Sequence, residues 1–286
     1  MFNNINSQNN INATTFNKPI VANKKEETSA SVNPQTIELQ KEQAYLGRDL
    51  VVDNTNKNND ISVVFKKLEG KKGKDFADTA YKELVKFYGL SDVAPKELTW
   101  EQKEGRPIVS DYRWYENKVV VYKDYFEKAT PEEQLGYIAH ELTHCKQTTN
   151  ILRTEGLPVQ AYAMAIATSD FRANVVNNPT VKENFKKAMS KGKEKEFAAL
   201  MIRANAANTY KELNAVFADV LKLPKHSLQS ENGQKALRDL RAQATYNGTD
   251  TVAYNNCELE KEAMNVENDI KQKYIDYKKS KQSMLN

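Results

Sequence analysis

Around residues 131–147 the apolar positions Leu135, Ile138, Leu142 and Cys145 recur every three or four residues, the period of one buried helical face. The start of that helix is well marked. Thr130 suits the N-cap, Pro131 suits the first helical position, and Glu133 completes a Thr-x-x-Glu capping box. The same period, through Phe76, Ala80, Leu84 and Phe87, predicts a helix that stops at Gly89. After Asn150 the pattern is almost entirely helical, with helices expected over 158–176, 181–190, 193–221 and 231–245. A Thr180-x-x-Glu183 box is expected to open the second of these, and a break near Asn208 to interrupt the third. A turn at Asn247-Gly248 leads to a last helix from near Asn256, striped by Leu259, Ala263, Val266, Ile270, Tyr274 and Tyr277.

Two stretches change period. Ile108, Val109, Tyr112, Trp114 and Tyr115, then Val119 to Tyr122, are β-branched or aromatic around Glu116-Asn117, which predicts a hairpin directly before the 131–147 helix. The run from Ile61 to Phe65 reads as a first strand, and 70–74 as a loop. Residues 1–59 are rich in Asn, Lys, Ser and Thr without periodicity. Such a composition cannot offset the entropy of ordering, so a disordered tail is expected, with a short helix around 36–46. Residues 60–286 then form one domain, α+β in class and predominantly helical.

Composition narrows the function classes. The net charge of +4 in 286 residues is spread over helical faces, which excludes the dense basic stripe of a nucleic-acid binder. No apolar run is long enough to span a bilayer. The opening residues lack a charged region followed by an apolar core, so no secretory leader is expected. The default compartment is the cytoplasm, with export by another route as the alternative. Two cysteines make no disulfide scaffold. Free thiols are expected, although Cys145 and Cys257 come close to each other if their helices pack together.

Chemistry enters with Gly136-Tyr-Ile-Ala-His140-Glu141-Leu-Thr-His144-Cys145-Lys-Gln147. On a helix His140 and His144 are i and i+4, so two imidazoles can meet one metal ion. Glu141 then stands beside that ion, able to reach a water on it, which is the chemistry of a zinc hydrolase. A plain helix with two structural histidines is the bland alternative, and only three histidines in the whole chain make that pairing improbable by accident. A third ligand is needed. His226, in Leu223-Pro-Lys-His, lies in a loop context, and position 150 is Asn, so a carboxylate is expected to complete the set.

The run Cys257-Glu258-Leu259-Glu260-Lys-Glu262-Ala263-Met264 resembles the second signature of the gluzincins, zinc peptidases whose third ligand is a helical Glu followed three residues later by Ala. His140-Glu-Leu-Thr-His144-x-x-Gln147 is similar to the signature helix of a group of bacterial zinc peptidases. The resemblance covers the hairpin, the motif helix and the last helix. It implies a zincin-like core with a helical insertion over about 155–250, and one zinc ion held by His140, His144 and Glu260. It also implies Glu141 as general base and a peptide or protein as substrate. Met264 stands where many members carry Asp, which removes the expected outer partner of a histidine. Asp170, in Asp170-Phe-Arg-Ala173-Asn174, is the rival third ligand, resembling a gluzincin-type group with shorter separation. Tyr254 or His226 is available to stabilise an oxyanion. Glu258 and Glu262 are expected to face solvent. The alternatives are a helical interaction or effector protein that keeps such a core as scaffold, and hydrolysis of a non-peptide amide.

Overall fold

The computed structural model of the chain describes residues 60–102, 108–246 and 256–283. The expected tail at 1–59, its short helix, and Tyr254 lie outside the described residues. The described part is α+β and predominantly helical, as the periodicity requires. Its elements are α1 (Ile61–Leu68), α2 (Gly73–Phe87), β1 (Leu98–Glu101), β2 (Ser110–Arg113), β3 (Lys118–Tyr122), α3 (Lys123–Phe126), α4 (Pro131–Leu152), α5 (Val159–Asn177), α6 (Pro179–Met189), α7 (Glu194–Val216), α8 (Glu231–Thr245) and α9 (Glu258–Ser283). Among the described residues no helix is long and apolar enough to cross a membrane.

Helix α4 is the axis of the fold. Its cap is the anticipated one: Thr130 Oγ1 accepts from the Glu133 N–H and the Glu133 carboxylate accepts from the Thr130 N–H. Leu135, Ile138, Leu142 and Cys145 are all fully buried. Around them pack α9, α2, α8 and strand β2. A helix used on most of its circumference has few polar positions left for solvent, which explains why Gln134, Glu141, Thr143 and Gln147 are buried as well.

The sheet has the order β1-β3-β2, with β1 parallel and β2 antiparallel to β3. The hairpin is the expected one, and Asn117 takes the positive φ that its turn requires. Ser110 pairs with Val121 and Tyr112 with Val119, while Leu98 and Trp100 face the same two valines from β1. Period-two alternation therefore puts these six side chains on the face toward the helices. On the other face Arg113 forks onto Glu101, at 3.0 and 2.6 Å, and also meets the Tyr122 hydroxyl. Strand β1 is too short and too polar to have shown in the sequence.

Four expectations are corrected. Residues 61–65 are helix, not strand: Asp60 caps the Ser62 N–H, and Val64, Phe65 and Leu68 form a helical stripe that packs on α2 and α9. Four β-branched or aromatic residues among the five positions yield to that tertiary contact. Helix α6 is capped by Asn178, which accepts from the Thr180 and Val181 N–H groups, with Pro179 at the first position, so the Thr180 box is not used. Helix α7 runs unbroken through Asn208 and gives way only after Val216, to a short 3-10 turn at Val220–Lys222. Glu262 is not a solvent residue: its carboxylate accepts from Gln147 and Lys235.

Candidate metal centre

His140 and His144 leave α4 on one face, one turn apart, and Glu260 reaches them from α9. The two Nε2 atoms are 3.1 Å apart, and Glu260 Oε2 lies 3.6 Å from the first and 3.4 Å from the second. These three donor atoms converge within 4.8 Å and can hold a metal ion. Helix α9 comes this close because Gly136, one turn before His140, has no side chain. A Cβ there would sit 2.7 Å from Lys271 Cε and 3.0 Å from Glu267 Cγ. Ala263, the small residue of the Glu-x-x-Ala run, is fully buried.

The outer nitrogens decide what the inner ones can do. His140 Nδ1 is 3.0 Å from a Glu267 carboxylate oxygen, which can only accept, so Nδ1 carries the proton and Nε2 presents its lone pair inward. His144 Nδ1 is 2.9 Å from Gln147 Oε1. Both hydrogens of the Gln147 amide are committed, one to the Leu259 carbonyl at 3.1 Å and one to Glu262 at 2.8 Å, so its oxygen must be the atom facing the ring. His144 therefore also presents a lone pair inward. Two lone pairs and a carboxylate oxygen at these separations repel one another unless positive charge sits among them. That charge is a proton or a metal cation.

The surroundings favour a proton on each ring. Burial lowers the His140 pKa, but hydrogen bonds to Glu260 and Glu267 outweigh it and raise the value to about 10. Burial opposes the charged form of His144 too, and the bond to Glu260 prevails, raising its pKa. Glu267 is pushed up by burial yet held below the usual carboxylate range by His140 and Lys271. Glu267, three residues beyond Met264 on α9, is the carboxylate that holds the outer nitrogen of His140.

Glu141 is buried beside the donors, and its Oε1 accepts a 2.7 Å hydrogen bond from the Ser110 hydroxyl of β2. Burial raises its pKa against the pull of both histidines and Ser110. A cavity of about 510 Å³ opens onto this cluster. Its walls are β2 with Ile108 and Trp114, the polar face of α4, and α5 with Tyr162, Ile166, Ser169 and Asp170. No lysine or arginine among the described residues lines it, so its potential favours a cation.

No family model matches this chain, and no curated protein or solved structure does either. The site therefore rests on its own geometry.

The structure brings together His140, Glu141, His144 and Glu260. Asp170 lines the cavity but is not in the donor group. His226 is elsewhere: its backbone pairs with Arg153 and Glu155, and it does not line the cavity. Cys145 is buried and Cys257 half-buried, both as free thiols. Tyr246, just beyond α8, does line the cavity. Burial, then the nearby Glu260 carboxylate, raise its pKa, which keeps its hydroxyl a proton donor. Ser110 and Tyr246 carried no sequence signal, because neither belongs to a spaced motif; only the packing of β2 and α8 on α4 brings them in.

Proposed function

We propose that the chain is a zinc-dependent peptidase of gluzincin type, built on a zincin-like core of hairpin, α4 and α9, with His140, His144 and Glu260 as ligands of one zinc ion. The observation that carries the reading is the set of three donor separations. A tetrahedral ion with bonds of about 2.0–2.1 Å needs ligand–ligand edges of about 3.4 Å. The separations of 3.1, 3.4 and 3.6 Å fall around that value. Two neutral imidazoles and a carboxylate, with their outer atoms already hydrogen-bonded, suit zinc and leave a fourth position for water.

Zinc, when bound, supplies Lewis acidity, lowering the pKa of a water toward 7 and polarising a carbonyl oxygen. The chain's own residues do the rest. Glu141, its pKa raised by burial, takes the proton of the attacking water and passes it to the leaving amine. Ser110 fixes the Glu141 carboxylate by occupying one of its oxygens. Tyr246 offers a hydroxyl to the developing oxyanion, a role His226 is not placed to take. Strand β2 is a sheet edge along the cavity, and an extended peptide can add to it by main-chain hydrogen bonds.

The decisive variant is Glu141→Gln. It is expected to bind one zinc per chain like the wild type and to lose at least about a hundredfold in turnover of a mixed peptide library. Retained turnover would overturn the assignment of Glu141. The second reading is an interaction protein that keeps the metal centre as a scaffold. The apolar side chains exposed on α5 to α7, namely Val176, Met189 and Leu200, favour it. Zinc uptake without hydrolysis of any library peptide decides for that reading.

A further inference from the structure

Lys235 and Asp239 are on α8, one turn apart, and both are buried although charged. Lys235 Nζ donates to Asp239 Oδ2 at 2.8 Å and to Glu262 Oε2 at 2.7 Å. That same Glu262 oxygen accepts from Gln147 Nε2, and Gln147 Oε1 accepts from His144 Nδ1. A continuous chain thus runs Asp239, Lys235, Glu262, Gln147, His144, across α8, α9 and α4.

We propose that Lys235 is a positioning residue for the metal centre, fixing the orientation of His144 through Glu262 and Gln147. The proposal rests on the metal-site part of the functional reading and needs no peptidase activity. Stability does not explain the lysine. A buried ion pair recovers little more than its desolvation cost, and apolar side chains of similar volume serve folding as well or better. What apolar side chains cannot do is hold a carboxylate. Glu262 sits on α9 two residues beyond Glu260, and without a cation it is free to turn toward solvent. Lys235 ties it inward against the Gln147 amide.

The amide is where the constraint becomes directional. A carboxamide has two nearly isosteric orientations, distinguished only by hydrogen bonding. In one, its oxygen faces His144; in the other, its NH2 faces the ring and forces Nδ1 to accept, moving the ring proton to Nε2. Nε2 would then point a hydrogen at Glu260 and His140 and could not ligate. Glu262 and the Leu259 carbonyl, both acceptors, select the first orientation. His140 needs no such relay, because Glu267 contacts it directly. The two ligands on α4 are thus oriented by different means, one by a carboxylate and one by a carboxamide backed by a buried lysine.

The test compares full-length wild type with Lys235→Met, and with Lys187→Met as a control that removes an exposed lysine. Two quantities are read on folded protein: the zinc dissociation constant, and exchange protection of the His144 Nδ1 proton by NMR without metal. Lys235→Met is expected to weaken zinc binding by about tenfold, within the range for outer partners of metal ligands. It is also expected to lose the protected proton, while Lys187→Met changes neither. Should Lys235→Met fail to fold, Glu262→Gln, which keeps the shape and drops the charge that Lys235 holds, is expected to raise the zinc dissociation constant and to lose the protection in the same way. Unchanged zinc affinity and unchanged protection in the folded variant overturn the proposal. If the wild type takes up no zinc yet the protected proton is lost in Lys235→Met, the positioning role stands and the metal reading falls.

Discussion

Glu260 and Asp170 both line the cavity, and the difference between them is one of reach. Glu260 Oε2 is within 3.6 Å of both histidines, whereas Asp170 has no donor atom in that group. Glu260→Ala is therefore expected to abolish stoichiometric zinc uptake, and Asp170→Ala to leave it intact; metal content of the purified proteins checks both. Protonation sets the next expectation. Below a pH of about 10 the metal-free chain keeps a proton on His140 that a metal must displace. Zinc affinity should therefore rise with pH, by about tenfold per unit for each proton released, through the neutral range. A flat profile between pH 6 and 8, measured by competition with a chelator of known affinity, would contradict the assigned hydrogen bonds. Ring tautomers at this site are residue-scale facts with element-scale causes, since Glu267 and Gln147 come from different helices.

At the scale of elements, the contact of α4 with α9 is the one that makes the site. Gly136 is a point of close approach between them, and Gly136→Ala tests it with two opposed effects. Replacing a helical Gly by Ala is worth about 1 kcal/mol in propensity. Crowding of Lys271 and Glu267 costs about 1–3 kcal/mol. Stability by denaturant titration should thus change little or fall modestly, while zinc affinity falls severalfold because Glu267 is moved off His140. Unchanged affinity would mean that α9 adjusts without shifting that carboxylate. The cap of α4 is a simpler case. Thr130→Ala removes the side-chain half of the capping box, the acceptor of the Glu133 N–H, and is expected to destabilise by about 1 kcal/mol without altering zinc content.

For the whole molecule, the centre joins α4, α8 and α9 with the β2 edge, so a bound ion ties parts of the chain more than a hundred residues apart. Anything that binds the folded state alone stabilises it. Zinc at a hundred times its dissociation constant should add about 2.7 kcal/mol, a rise of several degrees in the melting midpoint that a chelator reverses. No such rise in a protein that does bind zinc would show that the site persists after unfolding.

Helices α2, α4, α5, α8 and α9 were legible along the chain because each carries a 3.6-residue apolar stripe or a local cap, and both are properties of neighbours in sequence. His140, Glu141 and His144 were legible for the same reason: one turn of helix relates them, and spacing alone implies their geometry. Glu260 needed a resemblance, since more than a hundred residues separate it from His144. The tertiary structure alone decided the rest. It turned the β-branched run at Ile61 into helix by packing it on α2 and α9, and it brought Ser110 to Glu141 through the register of a sheet. It also put Glu267 where Met264 could not serve and drew Glu262 inward to Lys235. Each of these joins residues that are neighbours only through packing. A periodic pattern tells which face of an element is buried but not which element covers it, and the partners of a buried polar group belong to whatever element does.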